Sequence, residues 1–225
     1  CARGMSAPDE STPATAPRII EAADSIQTIG SHCGCRLAHA DLTPRTNAAN
    51  AAALSGKLHR VVYDLATPEG KEKAGAYKVE AAPTLILREK GSEAINLRYR
   101  GIPAGYEFAS LLEDIEMLGR DGHGLPENVV QELNDLPEEV VLQVFVTPTC
   151  PYCPQAVRTA HRLAYASPKV WGEMIEANEF PALSDRYHIH GVPDTIINHG
   201  KERVLGAQPL SQFLQAIRKA VGVRA

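Results

Sequence analysis

Two cysteines separated by two residues, Cys150 and Cys153, stand where an apolar run gives way to a helical pattern. The run from Val140 to Val146 is typical of a buried strand, and alanine, valine and leucine recur at helical spacing after the turn. A thiol at a helix N-terminus faces unpaired backbone N–H groups and the positive end of the helix dipole, and both favour the thiolate. We therefore expect Cys150, at the tip of the turn, to be the nucleophile. Cys153, within the first helical turn, is expected to attack a mixed disulfide formed at Cys150.

A structural zinc site is the alternative chemistry for such a pair, but it needs four ligands in a closed shell. The other closely spaced cysteines, Cys33 and Cys35, stand more than a hundred residues earlier in the chain. The ligand count therefore favours thiol chemistry without a metal. Because the side chains themselves carry that chemistry, no bound organic cofactor is expected.

The motif Cys-Pro-Tyr-Cys between a strand and a helix resembles the active site of the thioredoxin and glutaredoxin superfamily. The segment from Tyr187 to Ile197 is similar to that superfamily's loop-to-strand segment, whose proline follows a cis peptide beside the active cysteines. The resemblance implies that Pro193 follows a cis bond, a rare feature, and that the Val192 backbone pairs with an extended substrate peptide. Tyr152 either contacts that peptide, since an exposed aromatic ring offers apolar area and a hydroxyl, or merely occupies the turn.

The composition is that of an ordinary soluble globular protein, with 225 residues of which 44% are hydrophobic and 22% charged. The net charge of -4 and the pI near 6.1 argue against nucleic acid or an anionic membrane as the main partner. No apolar run approaches the roughly 18 residues that a membrane-spanning helix needs. Five cysteines are too few for a disulfide scaffold, so we expect a cytoplasmic protein whose paired cysteines carry redox chemistry.

The chain divides into a tail, two similar halves and a linker. Residues 1–17 are expected to be a disordered tail, in which Cys1 to Gly4 form an expression-tag remnant ahead of Met5. The first half covers residues 18–120, and the second covers residues 127–225. Between them, residues 121–126 are a turn-rich linker.

A repeated pattern shows that the two halves are a duplication. The segment from Tyr77 to Leu87 parallels the segment from Tyr187 to Ile197, and the tyrosine precedes the proline by six residues in both. The pairs Gly101 with Phe108 and Gly206 with Phe213 are each seven residues apart. The predicted fold is therefore α/β, with two tandem thioredoxin-like folds, each a central mixed sheet flanked by helices.

Three segments sharpen the resemblance: Thr67 to Glu72, Gly101 to Phe108 and Val144 to Pro154. Together they resemble the protein disulfide oxidoreductases of thermophilic archaea and bacteria, glutaredoxin-like proteins with two fused thioredoxin folds and a Cys-X-X-Cys motif in each. The resemblance implies a protein that reduces, oxidises or isomerises protein disulfides. It also implies electrons drawn from a thioredoxin reductase, and disulfides inside a thermophile's cell.

The first half departs from that family at its own cysteines, Cys33-Gly34-Cys35, where one residue intervenes instead of two. By the repeat, Pro83 would be the partner proline of this second redox site. Three interpretations stay open: a weak or specialised redox site, a decayed site kept as scaffold, or a stretch that departs from the native sequence. We favour a pair that forms a disulfide but is subordinate to Cys150 and Cys153.

The predicted function is thiol–disulfide exchange on protein disulfides at Cys150 and Cys153. One alternative is a dedicated electron relay that feeds a peroxiredoxin, as the paired thioredoxin folds of peroxide-reducing flavoenzymes do. Another is a non-enzymatic module that binds zinc or an iron–sulfur cluster. Thioredoxins use a buried acid to take the proton from the resolving thiol, and Glu176, at the end of a predicted strand, is the candidate.

Overall fold

The structure is a computed structural model that describes residues 61–89, 92–120 and 122–223. Cys33, Cys35 and the predicted tail lie outside those ranges. Within them the helices are α1 (Pro68–Ala76), α2 (Glu107–Arg120), α3 (Glu127–Asn134), α4 (Cys153–Ala166), α5 (Pro181–Arg186) and α6 (Leu210–Ala220). The strands are β1 (Thr84–Ile86), β2 (Leu97–Arg100), β3 (Val140–Val146), β4 (Val170–Glu176), β5 (Asp194–Ile197) and β6 (Glu202–Leu205), and a short 3-10 helix (Asn198–Gly200) joins the last two.

The six described strands form one mixed sheet with the order β1-β2-β4-β3-β5-β6. Strand β4 runs parallel to both of its neighbours, β2 and β3, whereas the three other neighbouring pairs are antiparallel. The hairpin of β1 and β2 comes from the first half of the chain, and its pairing with β4 extends the sheet of the second half. The predicted α/β class, a mixed sheet with flanking helices, is confirmed.

Strand β3 lies at the centre of this sheet and delivers the cysteines. Six of its seven side chains are buried, because it has a strand on each side and is covered on both faces. This burial explains the continuous apolar run in its sequence. The main hydrophobic core around it includes Tyr99 and Leu111 from the first half and Val144 and Phe213 from the second. The described parts of the two halves therefore share one core.

The described parts of the two halves repeat the same local geometry. The peptides Ala82–Pro83 and Val192–Pro193 are both cis. Five residues before each proline, Lys78 and His188 have positive φ angles of 53° and 52°. The repeated tyrosine-to-proline spacing of the sequence thus corresponds to a repeated backbone conformation.

An arginine holds this backbone in each half. The Arg98 guanidinium donates to the carbonyl oxygen of Lys78 at 2.9 Å, and the Arg203 guanidinium donates to that of His188 at 3.0 Å. Both arginines lie on the second strand of their hairpin, opposite the loop that they bind. The last strand of each half therefore fixes the loop that precedes the cis proline.

One predicted strand is wrong, and one helix was not predicted. The sequence predicts a buried strand from Val61 to Leu65 and a following helix that Thr67 caps and Pro68 opens, but the strand does not form. Instead, Asp64 makes a turn: its side chain accepts from the Ala66 N–H at 2.8 Å, and its carbonyl accepts from the Thr67 N–H at 3.0 Å. This turn leads into α1, which Thr67 caps as predicted. The helix that the sequence did not reveal is α3. Among the described residues, no helix is long and apolar enough to cross a membrane.

Candidate active site

Cys150 and Cys153 are joined by a disulfide at the junction of β3 and α4, with their Cα atoms 5.5 Å apart. Strand β3 ends at Val146, the Cys150 N–H donates to the carbonyl of Thr147 at 3.1 Å, and α4 begins at Cys153 itself. Pro154 fits this first turn because the N–H that it lacks would have no partner inside the helix. The strand, turn and helix expected from the sequence therefore place both sulfurs at the positive end of α4.

The two cysteines differ in their access to solvent. Cys150 is 8% exposed, whereas Cys153 is fully buried at 0%. A substrate disulfide can therefore reach Cys150 but not Cys153. This difference supports the roles expected for them, nucleophile for Cys150 and resolving thiol for Cys153.

The loop before β5 lies directly against the disulfide. The Cys150 sulfur is 3.7 Å from the carbonyl oxygen of Val192, and Pro193 is buried next to it. Tyr152 is 69% exposed beside the cysteines. The structure thus brings together five of the predicted site residues. Whether Tyr152 and Val192 contact a substrate stays a prediction.

The remaining predicted site residues do not join this group. Pro83 precedes β1, which three strand spacings separate from β3, a distance of about 14 Å. Cys33 and Cys35 lie outside the described residues. Among those described, no cluster of three or more histidine, cysteine, aspartate or glutamate side chains has the geometry of a metal site.

The first half of the chain forms a wall of the site, which the sequence did not reveal. The Tyr106 N–H donates to the carbonyl of Pro148, two residues before Cys150, at 3.0 Å. Gly105 permits this approach: it has a φ of +59°, and a Cβ atom there would lie 2.2 Å from the same Pro148 oxygen. The Tyr106 side chain is 53% exposed at the rim. In the sequence, only the repeated segment from Gly101 to Phe108 indicated a functional role for this region.

A second element from the first half brings an acid to the site. Glu107 is the first residue of α2 and is almost fully buried. Its Oε2 accepts from the Ser110 hydroxyl at 2.8 Å, whereas its Oε1 is buried without a hydrogen-bond partner. Burial raises the pKa of Glu107 to about 7, although the bond from Ser110 and the proximity of His161 oppose that shift. A carboxyl group in this state can exchange a proton near neutral pH.

Two contacts place Glu107 level with Cys153. The loops that precede α2 and α4 are joined at their ends, because the Tyr106 N–H donates to the Pro148 carbonyl. Further along, Asp114 of α2 contacts His161 of α4 at 2.5 Å. Asp114 lies about 10 Å along its helix from Glu107, and His161 lies about 12 Å from Cys153, so the helices run side by side in the same direction. Glu107 therefore lies beside the first turn of α4.

Glu176, the acid proposed from the sequence, is buried as well, but its carboxylate has partners. One oxygen accepts from the Asn178 side chain at 2.8 Å and the other from the Glu179 N–H at 2.6 Å. These bonds close the turn after β4. With a free oxygen and a raised pKa, Glu107 is the better candidate for proton transfer.

Several known proteins are similar to this chain in sequence or in fold. Residues 140–219, from β3 to α6, match the family model of the thioredoxin domain. These residues make up most of the second half. In the fold comparison, a protein disulfide oxidoreductase from Aeropyrum pernix aligns with a TM-score of 0.72 and 28% identity, over 93% of this chain and 88% of that chain. The predicted resemblance is confirmed.

Similarity to a second class of protein covers much of the same region. The alkylhydroperoxide reductase protein AhpF of Enterococcus faecalis aligns with a TM-score of 0.75 and 24% identity, over 90% of this chain and 91% of that chain, which shows a shared fold. The AhpF protein of Pseudomonas putida, also from an alkyl hydroperoxide reductase, is 26% identical over 173 residues, which are 76% of this chain and 33% of that protein. The chain thus spans about a third of the length of the curated relatives it matches.

Proposed function

We propose that this protein is a thiol–disulfide oxidoreductase that acts on protein disulfides through Cys150 and Cys153. The observation that carries the proposal is the difference between the two joined sulfurs, one accessible beside the Val192 carbonyl and one buried at the start of α4. A pair of this kind can form and break a disulfide without any other group.

In the reducing direction, the Cys150 thiolate attacks one sulfur of a substrate disulfide. A bond forms between the Cys150 sulfur and that substrate sulfur, and the second substrate sulfur leaves as a thiolate that takes a proton from water. Cys153 then loses its proton and attacks the Cys150 sulfur. The mixed disulfide breaks, the substrate leaves as a dithiol, and the protein keeps the Cys150–Cys153 disulfide until a dithiol reductant returns two electrons.

Glu107 is the proposed acceptor for the Cys153 proton. Cys153 is excluded from solvent, so its proton needs an acceptor inside the protein. Glu107 lies beside the same helical turn and has one carboxylate oxygen without a partner. Its pKa of about 7 lets it take the proton in one step and release it in the next.

Insulin reduction with dithiothreitol tests the activity. We expect Cys150→Ser to be inert and Cys153→Ser to stop after the first step, with one substrate molecule held as a mixed disulfide that mass spectrometry detects. Cys33→Ser is the matched control and is expected to keep most of the activity. Activity that survives Cys150→Ser would place the chemistry in the other half.

The chain as a whole is proposed to consist of two tandem thioredoxin-like folds, residues 18–120 and 127–225, joined by the linker 121–126. The matching arginine contacts of the two halves, to the carbonyls of Lys78 and His188, support the duplication. In this arrangement Cys33 and Cys35 form a subordinate redox pair near Pro83. A variant without Cys150 and Cys153 tests this: mild oxidation should remove two thiols from it, and an unchanged thiol count would show that the first pair forms no disulfide.

A dedicated relay is the second candidate, because the AhpF proteins of alkyl hydroperoxide reductases align with this chain. In that function the pair would pass electrons from a cytoplasmic reductase, such as a thioredoxin reductase, to a peroxiredoxin. The ratio of kcat/KM for a peroxiredoxin to that for insulin separates the candidates. A ratio near one favours a general oxidoreductase, and a large ratio favours the relay.

A further inference from the structure

A buried polar network connects the two halves beneath the active-site helix. The carboxylate of Asp114, on α2, accepts from the Tyr99 hydroxyl, on β2, at 2.5 Å, and its same oxygen lies 2.5 Å from Nδ1 of His161, on α4. The other ring nitrogen of His161 lies 3.2 Å from the carbonyl oxygen of Arg98. All three side chains of the network are at most 2% exposed.

The hydrogen-bonding capacity of these groups shows where the protons lie. A backbone carbonyl only accepts, so the Nε2 atom of His161 that faces Arg98 must carry a proton. Burial and the nearby Asp114 carboxylate raise the pKa of Tyr99 well above its usual value, so its hydroxyl remains a donor. One further proton lies between Nδ1 of His161 and Asp114. The same Asp114 oxygen already accepts from Tyr99, so both ring nitrogens of His161 face acceptors, which is the geometry of an imidazolium that donates from both.

Strand β4 leaves space for the imidazole ring of His161. Gly172 of β4 lies under the imidazole, and a Cβ atom there would be 2.8 Å from the ring carbon Cδ2. The Tyr99 ring packs edge-on against the imidazole with 4.9 Å between the ring centres. His161 is therefore fixed in orientation from the sheet side as well as by Asp114.

The charges that face His161 come from every element around it. Helix α2 contributes Asp114, the adjacent Glu113 and, two turns earlier, Glu107, whereas β2 contributes the neutral phenol of Tyr99. On α4 itself, Arg158 is paired with Glu113 nearer to solvent. Glu107 has no ion-pair partner in this set, and proximity to His161 favours its ionised form.

We propose that His161 is a positioning residue, held as an imidazolium by Asp114 and the Arg98 carbonyl, whose fixed positive charge favours the ionised form of Glu107 that accepts the Cys153 proton. The inference rests on the proposed thiol–disulfide exchange. It adds an electrostatic interaction, between His161 and Glu107, that supports the resolving step near neutral pH. His161 does not touch the sulfurs, and it acts through Glu107.

The protonation state of His161 can be measured without any activity. In the full-length protein labelled with 15N-histidine, NMR at pH 8 should show two protonated ring nitrogens for His161. The ring-nitrogen signals of the exposed His188, His190 and His199 serve as internal controls. In Asp114→Asn the imidazolium signature should disappear at pH 8. A neutral His161 in the wild type, or an imidazolium that persists in Asp114→Asn, would overturn the proposal.

Loss of the His161 charge should shift the pH dependence of the resolving step. In a single turnover of pre-reduced protein with insulin, the release of the second substrate thiol reports the resolving step. For His161→Gln we expect the rate to fall about tenfold at pH 6.5 but less than twofold at pH 9, because Glu107 then needs a higher pH to ionise. His199→Gln is the control and should keep the wild-type profile.

The possible failures of this experiment are distinguishable. A His161→Gln rate that falls equally at every pH would mean a merely structural role and would overturn the proposal. Thermal unfolding of the same variant confirms that it is folded at the assay temperature. A wild type that releases no thiol from insulin would refute the proposed function instead, whereas the NMR result on His161 would still decide the state of the buried pair.

Discussion

Glu107 has a carboxylate that is nearly free of solvent and has one oxygen without a hydrogen-bond partner. An unpartnered buried acid costs folding free energy once it ionises, since burial penalises the charged form. In the proposed mechanism this residue accepts the proton of Cys153. Perturbed carboxyl groups of this kind are common at active sites, where a local loss of stability accompanies proton exchange.

This cost predicts a pH dependence of stability. In the unfolded chain, Glu107 ionises near 4.5, whereas in the folded protein it keeps its proton up to about 7. The folded state then binds more protons between these values, so this residue lowers the free energy of unfolding as the pH rises from about 4.5 to about 7. The difference amounts to about 3 kcal/mol.

Glu107→Gln should remove that dependence. We expect the variant to gain up to about 3 kcal/mol relative to the wild type between pH 4.5 and pH 8, as measured by urea unfolding at both values. The resolving step should slow at the same time, which insulin reduction reports. Wild type and variant with identical pH dependence of unfolding would contradict the assigned pKa.

At the scale of elements, β6 holds the loop before β5 through one arginine. The Arg203 guanidinium donates to both carboxylate oxygens of Asp194, which is 1% exposed, and to the carbonyl of His188. Because Asp194 directly follows Pro193, this clamp fixes the loop whose carbonyl meets the Cys150 sulfur. The matching contact of Arg98 in the first half shows that the clamp belongs to the repeated unit.

Arg203→Gln is therefore expected to cost about 3 kcal/mol of unfolding free energy, because it leaves a buried carboxylate without its partner. Arg218→Gln is a matched control: Arg218 also makes two bonds to a carboxylate, that of Glu132, but both side chains are about 30% exposed. We expect it to cost no more than about 1 kcal/mol. Equal losses measured by urea unfolding would show that the burial of Asp194 is not what matters.

Two glycine-to-alanine substitutions test the close contact between Gly105 and the Pro148 carbonyl beside the site. Gly105→Ala forces a Cβ atom toward the Pro148 oxygen and disfavours the positive φ, so we expect a loss of about 1–3 kcal/mol. Gly119→Ala, within α2 and with open space around it, should instead stabilise by about 0.5–1 kcal/mol. Urea unfolding of both variants checks the contrast, and a tolerated Gly105→Ala would mean that the loop has room to move.

At the scale of the whole molecule, the described parts of the two halves form one structural unit. Strand β2 of the first half pairs with β4 of the second along four residues, and α2 packs against α4. Trp171 of β4 lies 4.6 Å from the Arg98 guanidinium and therefore reports on this junction.

We expect a single cooperative unfolding transition for the full chain. Tryptophan fluorescence, which follows the junction at Trp171, and far-UV circular dichroism, which follows all helices and strands, should give the same midpoint in urea. Two separate transitions would show that the halves fold independently despite their shared core.

Local patterns predicted those features that depend on neighbouring residues. The apolar run of β3, the turn and the spacing of α4 placed Cys150 and Cys153, and the repeated tyrosine and proline located the loops at Pro83 and Pro193. The prediction of a strand from Val61 to Leu65 is wrong, because an apolar run becomes a strand only if another strand pairs with it. Helix α3, which the sequence analysis missed, is only eight residues long and buries two apolar side chains, Val129 and Leu133.

The sequence by itself predicted the thiol pair at a helix start, the proline loop beside it and a repeated pattern in the two halves. Only the tertiary structure decided that β2 joins β4, that Tyr106 binds the turn before the disulfide, and that His161 meets Asp114. The physical reason is the range of the interactions. Strand, turn and helix signals act over a few residues, whereas these contacts join positions more than 40 residues apart, which no local spacing encodes.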